Sequence, residues 1–191
     1  MKTLVITTLS VLALTVSATA EADNQRIRYE SKTVLTAEQE VQDEAVVSAG
    51  KALAIISINR RFTRANIRVT FSNLEGNVSR LHLHCNVAGA NGPIAIGAVD
   101  LVGAANDNSE TITLDANTIT GKLFNSQFPG ADACAGAIGR SIRNLHDLAQ
   151  AIDDGQVYWN LHTFAFPAGE LRGQVEPLQR TFPARVNRDD D

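Results

Sequence analysis

The sequence predicts an all-β fold, an antiparallel β-sandwich with one short helix. Eight short segments either alternate apolar and polar residues or are almost wholly apolar, which is typical of strands. Turn-forming residues such as those at 74–77 and 88–93 separate them. Residues 141–154 are the one stretch with apolar residues at helical spacing. We find no internal repeat and no linker that would divide the chain, so we expect a single folded domain.

Residues 1–20 have the three parts of a secretory signal peptide. Lys2 supplies the positive start, an apolar run follows, and a small-residue cleavage signal ends at Ala20. The run is too short to span a membrane, so we expect a protein in the periplasm or outside the cell. Removal of the signal peptide would remove Lys2, one of the 17 basic residues of the chain, and none of its 21 acidic residues. This acidic balance predicts no nucleic-acid partner.

The remaining chain divides into a leader, a domain and a tail. Residues 21–32 form the leader and the start of the first strand, residues 33–177 the domain, and residues 178–191 a polar tail. Residues 36–49 form an exposed polar connection. Within the domain we predict six strands before a terminal hairpin, at residues 27–35, 51–59, 65–73, 78–86, 94–102 and 109–114. The segment 51–59 is nearly all apolar, which indicates either a strand buried on both faces or a central strand.

The domain also carries an insertion and the helix. Residues 125–140 are rich in glycine and alanine and indicate an inserted loop. The helix at 141–154 has Ser141 as a suitable N-cap, and Gly155 follows as a stop.

Residues 157–175 predict a β-hairpin around a Pro-Ala-Gly turn. Strand side chains alternate between faces, so the hairpin has a dry face and a polar face. The dry face carries Val157, Trp159, Leu161, Leu171 and Val175, and the polar face carries Tyr158, Asn160, His162, Glu170, Arg172 and Gln174. Pairing that is symmetric about Phe166 places His162 opposite Glu170 and Asn160 opposite Arg172.

Three histidines are candidate metal ligands. His82 and His84 lie at i and i+2 on one face of a predicted strand, roughly 7 Å apart. This spacing suits Cu(II) or Zn(II) when a third ligand arrives, and His162 on its own polar face is a natural third ligand. Glu170 is then a fourth ligand or the hydrogen-bond partner that fixes the His162 tautomer.

A structural network without metal explains the same residues. In that interpretation His84 and His162 belong to a buried polar network whose hydrogen bonds hold the hairpin to its neighbours. Its other members are Asn160, Glu170 and Arg172. Both interpretations stay open at this point.

The sequence indicates a protein that is not an enzyme. It shows no nucleophile elbow, phosphate-binding loop, cofactor fingerprint or pair of catalytic carboxylates. Copper–zinc superoxide dismutase also uses a His-x-His strand in a β-sandwich. It needs a second, bridged metal site, however, and this chain has four histidines in all. The fourth, His146, falls on the predicted helix. We therefore expect no catalytic residues and no dismutase activity.

Cys85 and Cys134 are the two cysteines of the chain. An even count in an exported protein favours one disulfide between them. Two reduced, buried thiols are the alternative.

Several motifs resemble those of the chordin-type (CHRD) domain family. They are the opening motif at 35–41, the histidine motif at 81–84, the Gly-Pro turn at 91–94, and the C-terminal signature at 159–163 and 166–174. Together they cover residues 33–177. The resemblance implies a compact β-sandwich of the immunoglobulin-like or superoxide-dismutase-like kind. Members in animals lie in an extracellular antagonist of growth factors, and bacterial members are small exported proteins.

The chain departs from the family pattern in two places. Cys85 stands where the family sequence usually continues toward a glycine, and the insertion carries Cys134. A disulfide peculiar to this branch would explain both departures. The resemblance implies an exported binding or scaffold protein, to which the histidines add copper or zinc binding. The alternative is a module that recognises a protein or polysaccharide, or forms a homodimer, with a purely structural polar network.

Overall fold

A computed structural model of the chain describes residues 28–100, 112–128 and 133–182, the side chains of residues 98–100 excepted. The signal peptide predicted at residues 1–20 therefore lies outside the described residues. The strands are β1 (Arg28–Thr36), β2 (Lys51–Asn59), β3 (Arg64–Ser72), β4 (Val78–Cys85), β5 (Ile94–Asp100), β6 (Ile112–Asp115), β7 (Thr118–Phe124), β8 (Val157–Thr163), β9 (Leu171–Gln174) and β10 (Gln179–Thr181). Two short α-helices, α1 (Ala135–Ile138) and α2 (Leu145–Asp153), accompany them. The predicted all-β class is confirmed.

The strands form one curled antiparallel sheet in the order β5-β4-β8-β9-β1-β2-β3-β7-β6. Strand β1 joins its two halves, because it pairs with β2 along nine residues and meets β9 at Thr36 on its other edge. The opposite end of that edge pairs with β10. The curl brings the inward faces of the two halves around one core, which gives the sandwich-like shape.

The core is built from the apolar face that alternation predicts for each strand. Leu81 and Leu83 of β4 pair with Leu161 and Trp159 of β8, and all four are fully buried. The remaining members of the dry face of the hairpin are buried with them. Trp159 is the largest of the fully buried side chains.

Strand β2 is central, as predicted, but only one of its faces is fully covered. Ala52, Ala54, Ile56 and Ile58 point into the core, whereas Leu53 is 42 % exposed. A nearly all-apolar sequence therefore does not mark a strand covered on both faces in this sheet. The apolar residues on the outer side of β2 are only partly covered by their neighbours.

The helix begins later than predicted and has a different cap. Asn144, not Ser141, is the N-cap residue of α2, and its side chain accepts hydrogen bonds from the N–H groups of His146 and Asp147. Gly155 follows the helix with a φ of +67°, which agrees with the predicted stop.

Three elements were not predicted. Helix α1 lies in the predicted insertion loop, β7 follows a short turn after β6, and β10 lies in the segment predicted as a polar tail. Strand β10 forms because the edge of β1 beyond its pairing with β9 offers unpaired backbone groups to Gln179, Arg180 and Thr181.

Cys85 and Cys134 form a disulfide, which confirms that prediction and excludes two free thiols. Their Cα atoms are 5.7 Å apart. The bond ties the segment that starts α1 to the end of β4, the strand that carries His82 and His84. In the described residues no helix has the length and apolarity that a membrane span requires.

Candidate metal site

The polar face of the hairpin continues across β4 as one surface. The register places Arg80 opposite His162, His82 opposite Asn160 and His84 opposite Tyr158. On the next strand Arg172 lies opposite Asn160, as the predicted hairpin pairing required. We call the face of β4, β8 and β9 that carries these seven residues the polar face.

The polar face is buried rather than solvated. All seven residues of β8 are buried, including Tyr158, Asn160 and His162. Two segments cover the face. One is residues 37–50, most of which lie in the stretch 36–49 that was predicted as an exposed connection, and the other is residues 86–93. Gln42 donates to the Gly169 carbonyl and Asn91 to the Val41 carbonyl, and these bonds hold the covers to the turn and to each other.

His82, His84 and His162 converge on this face. Each offers a ring nitrogen, and the three nitrogens lie within 4.8 Å of one another. The ring centroids of His82 and His162 are 5.0 Å apart, and those of His82 and His84 are 5.5 Å apart. His82 and His162 are only 6 % exposed, and His84 is half-buried. His146, the fourth histidine, lies elsewhere and meets the ring of Phe62 edge-on.

Backbone carbonyls orient two of the three rings. The Nδ1 atom of His84 is 2.9 Å from the Gly92 oxygen, and that of His162 is 3.0 Å from the Pro167 oxygen. A carbonyl oxygen can only accept, so each Nδ1 carries the proton and the Nε2 atom carries the lone pair. The sequence could not identify these partners, because a backbone carbonyl has no side-chain signal.

Burial holds His82 and His84 in their neutral form. It lowers the pKa of His82 to about 3, and the charges of His162, His84 and Arg80 act in the same direction. Burial also lowers the pKa of His84, although its bond to Gly92 opposes this. Since only a neutral imidazole binds a metal, these two candidate ligands need no deprotonation near neutral pH.

A stacked column connects His84 to the second cover. The ring of Tyr158 stacks on His84 at 5.0 Å, and the Arg172 guanidinium lies 3.5 Å from the centre of that ring. Arg172 donates to the Ala90 carbonyl at 2.8 Å and to Asn91 Oδ1 at 3.0 Å. The Tyr158 hydroxyl accepts from the Gly92 N–H group at 3.0 Å. Arg172 and Tyr158 thus hold the loop whose carbonyl orients His84.

Glu170 lies outside the histidine cluster and has other partners. Its carboxylate is fully buried and accepts from Ser48 Oγ at 2.7 Å, from the Glu75 N–H group at 2.9 Å and from Thr163 Oγ1 at 2.6 Å. These bonds join three segments of the chain. The polar residues of the hairpin therefore serve separate local networks more than the single one that the sequence suggested.

Asn160 faces an acidic residue that the sequence analysis did not single out. Its Nδ2 atom is 3.5 Å from Glu40 Oε2, while Asn160 Oδ1 and Glu40 Oε1 are buried without a hydrogen-bond partner. Both oxygens crowd Gly169, where an added Cβ would stand 2.5 Å from Asn160 Oδ1 and 2.7 Å from Glu40 Oε1. Burial raises the pKa of Glu40 to about 7, so the carboxyl group can hold the proton that two facing acceptors require.

Comparison with known proteins gives one match. Neither the search of curated proteins nor that of solved structures found a similar protein. The family model described as the CHRD domain matches residues 31–175, a span that contains the three clustered histidines and both cysteines. The Cys85–Cys134 disulfide is of the kind that persists in oxidising compartments. The chain belongs to the CHRD domain family and, with its disulfide, is an extracellular or secreted module.

Proposed function

We propose that this protein is exported to the periplasm or the cell exterior and binds one copper or zinc ion through His82, His84 and His162. The convergence of three ring nitrogens within 4.8 Å carries the proposal. Nitrogens that bind one zinc ion at about 2.0–2.1 Å lie roughly 3.4 Å from one another. Small rotations of the three side chains are therefore enough to close the shell.

The surroundings of the histidines also favour a metal. A ligating histidine usually donates its other ring N–H to a carbonyl or carboxylate, and His84 and His162 both donate to carbonyls. His82 Nδ1 and His84 Nε2 are buried and make no hydrogen bond to protein. Buried polar atoms are costly without a partner, and a metal ion bound to them would remove that cost.

A purely structural role is the competing proposal. The column of Arg172, Tyr158 and His84 holds residues 86–93 without any ion. In that case the protein would be an interaction module for a protein or polysaccharide, or a homodimer, and its histidines would contribute stability alone.

Calorimetric titration of the purified, disulfide-bonded protein with Cu(II) and with Zn(II) separates the two proposals. We expect uptake of about one ion per chain and at least tenfold weaker binding in His162→Ala, as the loss of a metal ligand requires. His146→Ala is the matched control, since His146 is a histidine outside the cluster, and we expect it to bind as the unmodified protein does.

No uptake of either ion by the unmodified protein, with Cu(I) tested in the same way, would end the proposal. Equal losses in His162→Ala and His146→Ala would place any bound ion elsewhere. A lower melting temperature in His162→Ala without any change in metal uptake would support the structural role.

A further inference from the structure

Among the described residues, the three side chains that converge at the candidate site bring no negative charge to a bound ion. Its three ligands are neutral imidazoles, and Glu170, the fully buried carboxylate of the hairpin, accepts hydrogen bonds from Ser48, Thr163 and Glu75. In the part of the chain that the structure describes, the converging group contains no cysteine, aspartate or glutamate. An ion would therefore bring its whole charge into the site.

The surroundings make that charge costly. His82 and His162 are 6 % exposed, so little water reaches them. Arg80 lies on the same face of the sheet, opposite His162 in the register. The Arg172 guanidinium lies 3.5 Å from the centre of the Tyr158 ring, and that ring stacks on His84. The positive charge of Arg172 is therefore one ring away from a ligand of the site and opposes the charge of a bound ion.

The cost of burying an ion rises with the square of its charge. A divalent ion therefore costs about four times as much to desolvate as a monovalent ion of the same size. Zinc and Cu(II) usually offset this cost with thiolate or carboxylate ligands or with a bound hydroxide. Three converging imidazoles, two of them 6 % exposed, include no thiolate or carboxylate that would offer such an offset.

The number of ligands points the same way. Structural zinc sites hold four ligands in a tetrahedron, and Cu(II) prefers four in a square. Zinc on three protein ligands takes a water as its fourth ligand, and His82 and His162 are only 6 % exposed, whereas three nitrogen ligands alone are enough for Cu(I). From the charge and the ligand number together we infer that the site selects monovalent copper, Cu(I), over Cu(II) and Zn(II). This inference rests on the proposed function, because it names the ion for the same three histidines.

Competition under anaerobic conditions tests it. The disulfide-bonded protein is kept with ascorbate, which holds copper as Cu(I) and, unlike a thiol, leaves the disulfide intact. Cu(I) is supplied as its coloured bicinchoninate complex, and transfer to the protein is followed by the loss of colour. Cu(II) and Zn(II) are titrated separately without ascorbate, each against a chelator of known affinity.

We expect a dissociation constant for Cu(I) at least 100-fold below those for Cu(II) and Zn(II), and retention of Cu(I) against a tenfold excess of Zn(II). His82→Ala and His162→Ala should each weaken Cu(I) binding at least tenfold, and His146→Ala should leave it unchanged.

Zn(II) or Cu(II) bound as tightly as Cu(I) would overturn the inference and leave the proposed function standing. Cu(I) binding that survives in both His82→Ala and His162→Ala would overturn it as well, because the ion would then lie elsewhere. The absence of binding by all three ions would overturn the proposed function itself.

Discussion

Each buried polar side chain of the hairpin holds a different part of the chain against the polar face. Glu170 binds the segments that contain Ser48 and Glu75, and Arg172 binds the loop that contains Ala90 and Asn91. Because these residues come from one hairpin, a short stretch of sequence positions both covers. The loop at residues 86–93 also orients His84, because the Gly92 carbonyl accepts from His84 Nδ1.

Replacement of Glu170 by glutamine should destabilise the protein strongly. A carboxylate accepts all three of its hydrogen bonds, whereas an amide presents one oxygen and one N–H₂ group to the same donors. The fixed Glu75 N–H group or a hydroxyl would lose its acceptor in a fully buried place. We expect a loss of about 2–3 kcal/mol in the free energy of unfolding, measured by urea denaturation.

Glu44→Gln is the matched control, since Glu44 is exposed and the same chemical change there should cost less than about 0.5 kcal/mol. If the two variants unfold at the same urea concentration, the three bonds to Glu170 do not stabilise the fold.

Elements were predictable where one face of a strand is apolar and the other polar. The bounds of β2 match the prediction, and those of β3 and β4 differ by one residue, because alternation and flanking turns mark them. Strand β10 escaped prediction since three residues carry too little pattern, and its formation depends on the edge of β1. The start of α2 was misplaced because Ser141 and Asn144 are both good caps, and the choice depends on packing.

The element that carries His82 and His84 is fixed at one end by the disulfide, and we expect the bond to stabilise the whole fold. Cys85 and Cys134 are 49 residues apart, and the chain-entropy model gives about 4 kcal/mol for closing such a loop in the unfolded state. The Cys85→Ser, Cys134→Ser double variant should therefore lose about 2–4 kcal/mol in urea denaturation.

Reduction of the unmodified protein with a phosphine should lower its stability to that of the double variant. A double variant that keeps the full stability would show that packing around α1 alone holds this segment.

At the scale of the whole molecule, the site depends on contacts that no local pattern contains. The sequence places His82, His84 and His162 on polar strand faces, and this was enough to propose them together. Their convergence requires β4 and β8 to be neighbours in a register that sets Arg80 opposite His162. The burial of the face requires two covering segments that themselves read as exposed loops. Long-range strand pairing and the two covering segments thus determine the chemistry of residues that the local sequence could only identify as candidates.

Opposing pH effects act on the metal-free fold. Burial lowers the pKa of His82 to about 3, so the unfolded chain takes up its proton first as the pH falls below 6.5. The contribution of His82 to the free energy of unfolding is therefore fully present above pH 6.5 and is lost as the pH falls towards 3. Burial raises the pKa of Glu40 from 4.5 to about 7, which gives the opposite sign. The contribution of Glu40 to the free energy of unfolding is fully present below pH 4.5 and is lost as the pH rises through 7.

The Glu40 contribution can be isolated by comparing the protein with Glu40→Gln, because the histidine contributions are common to both. Glutamine is neutral at every pH and can donate to Asn160 Oδ1, as a protonated carboxyl group can. We expect equal free energies of unfolding near pH 4.5 and a variant more stable by about 1–2 kcal/mol at pH 8. This is less than full linkage, since Glu40 is partly exposed. Urea denaturation in the presence of a chelator measures the difference. A difference that does not change with pH would mean that Glu40 ionises in the fold as it does in the unfolded chain, and that another donor lies between the two facing oxygens.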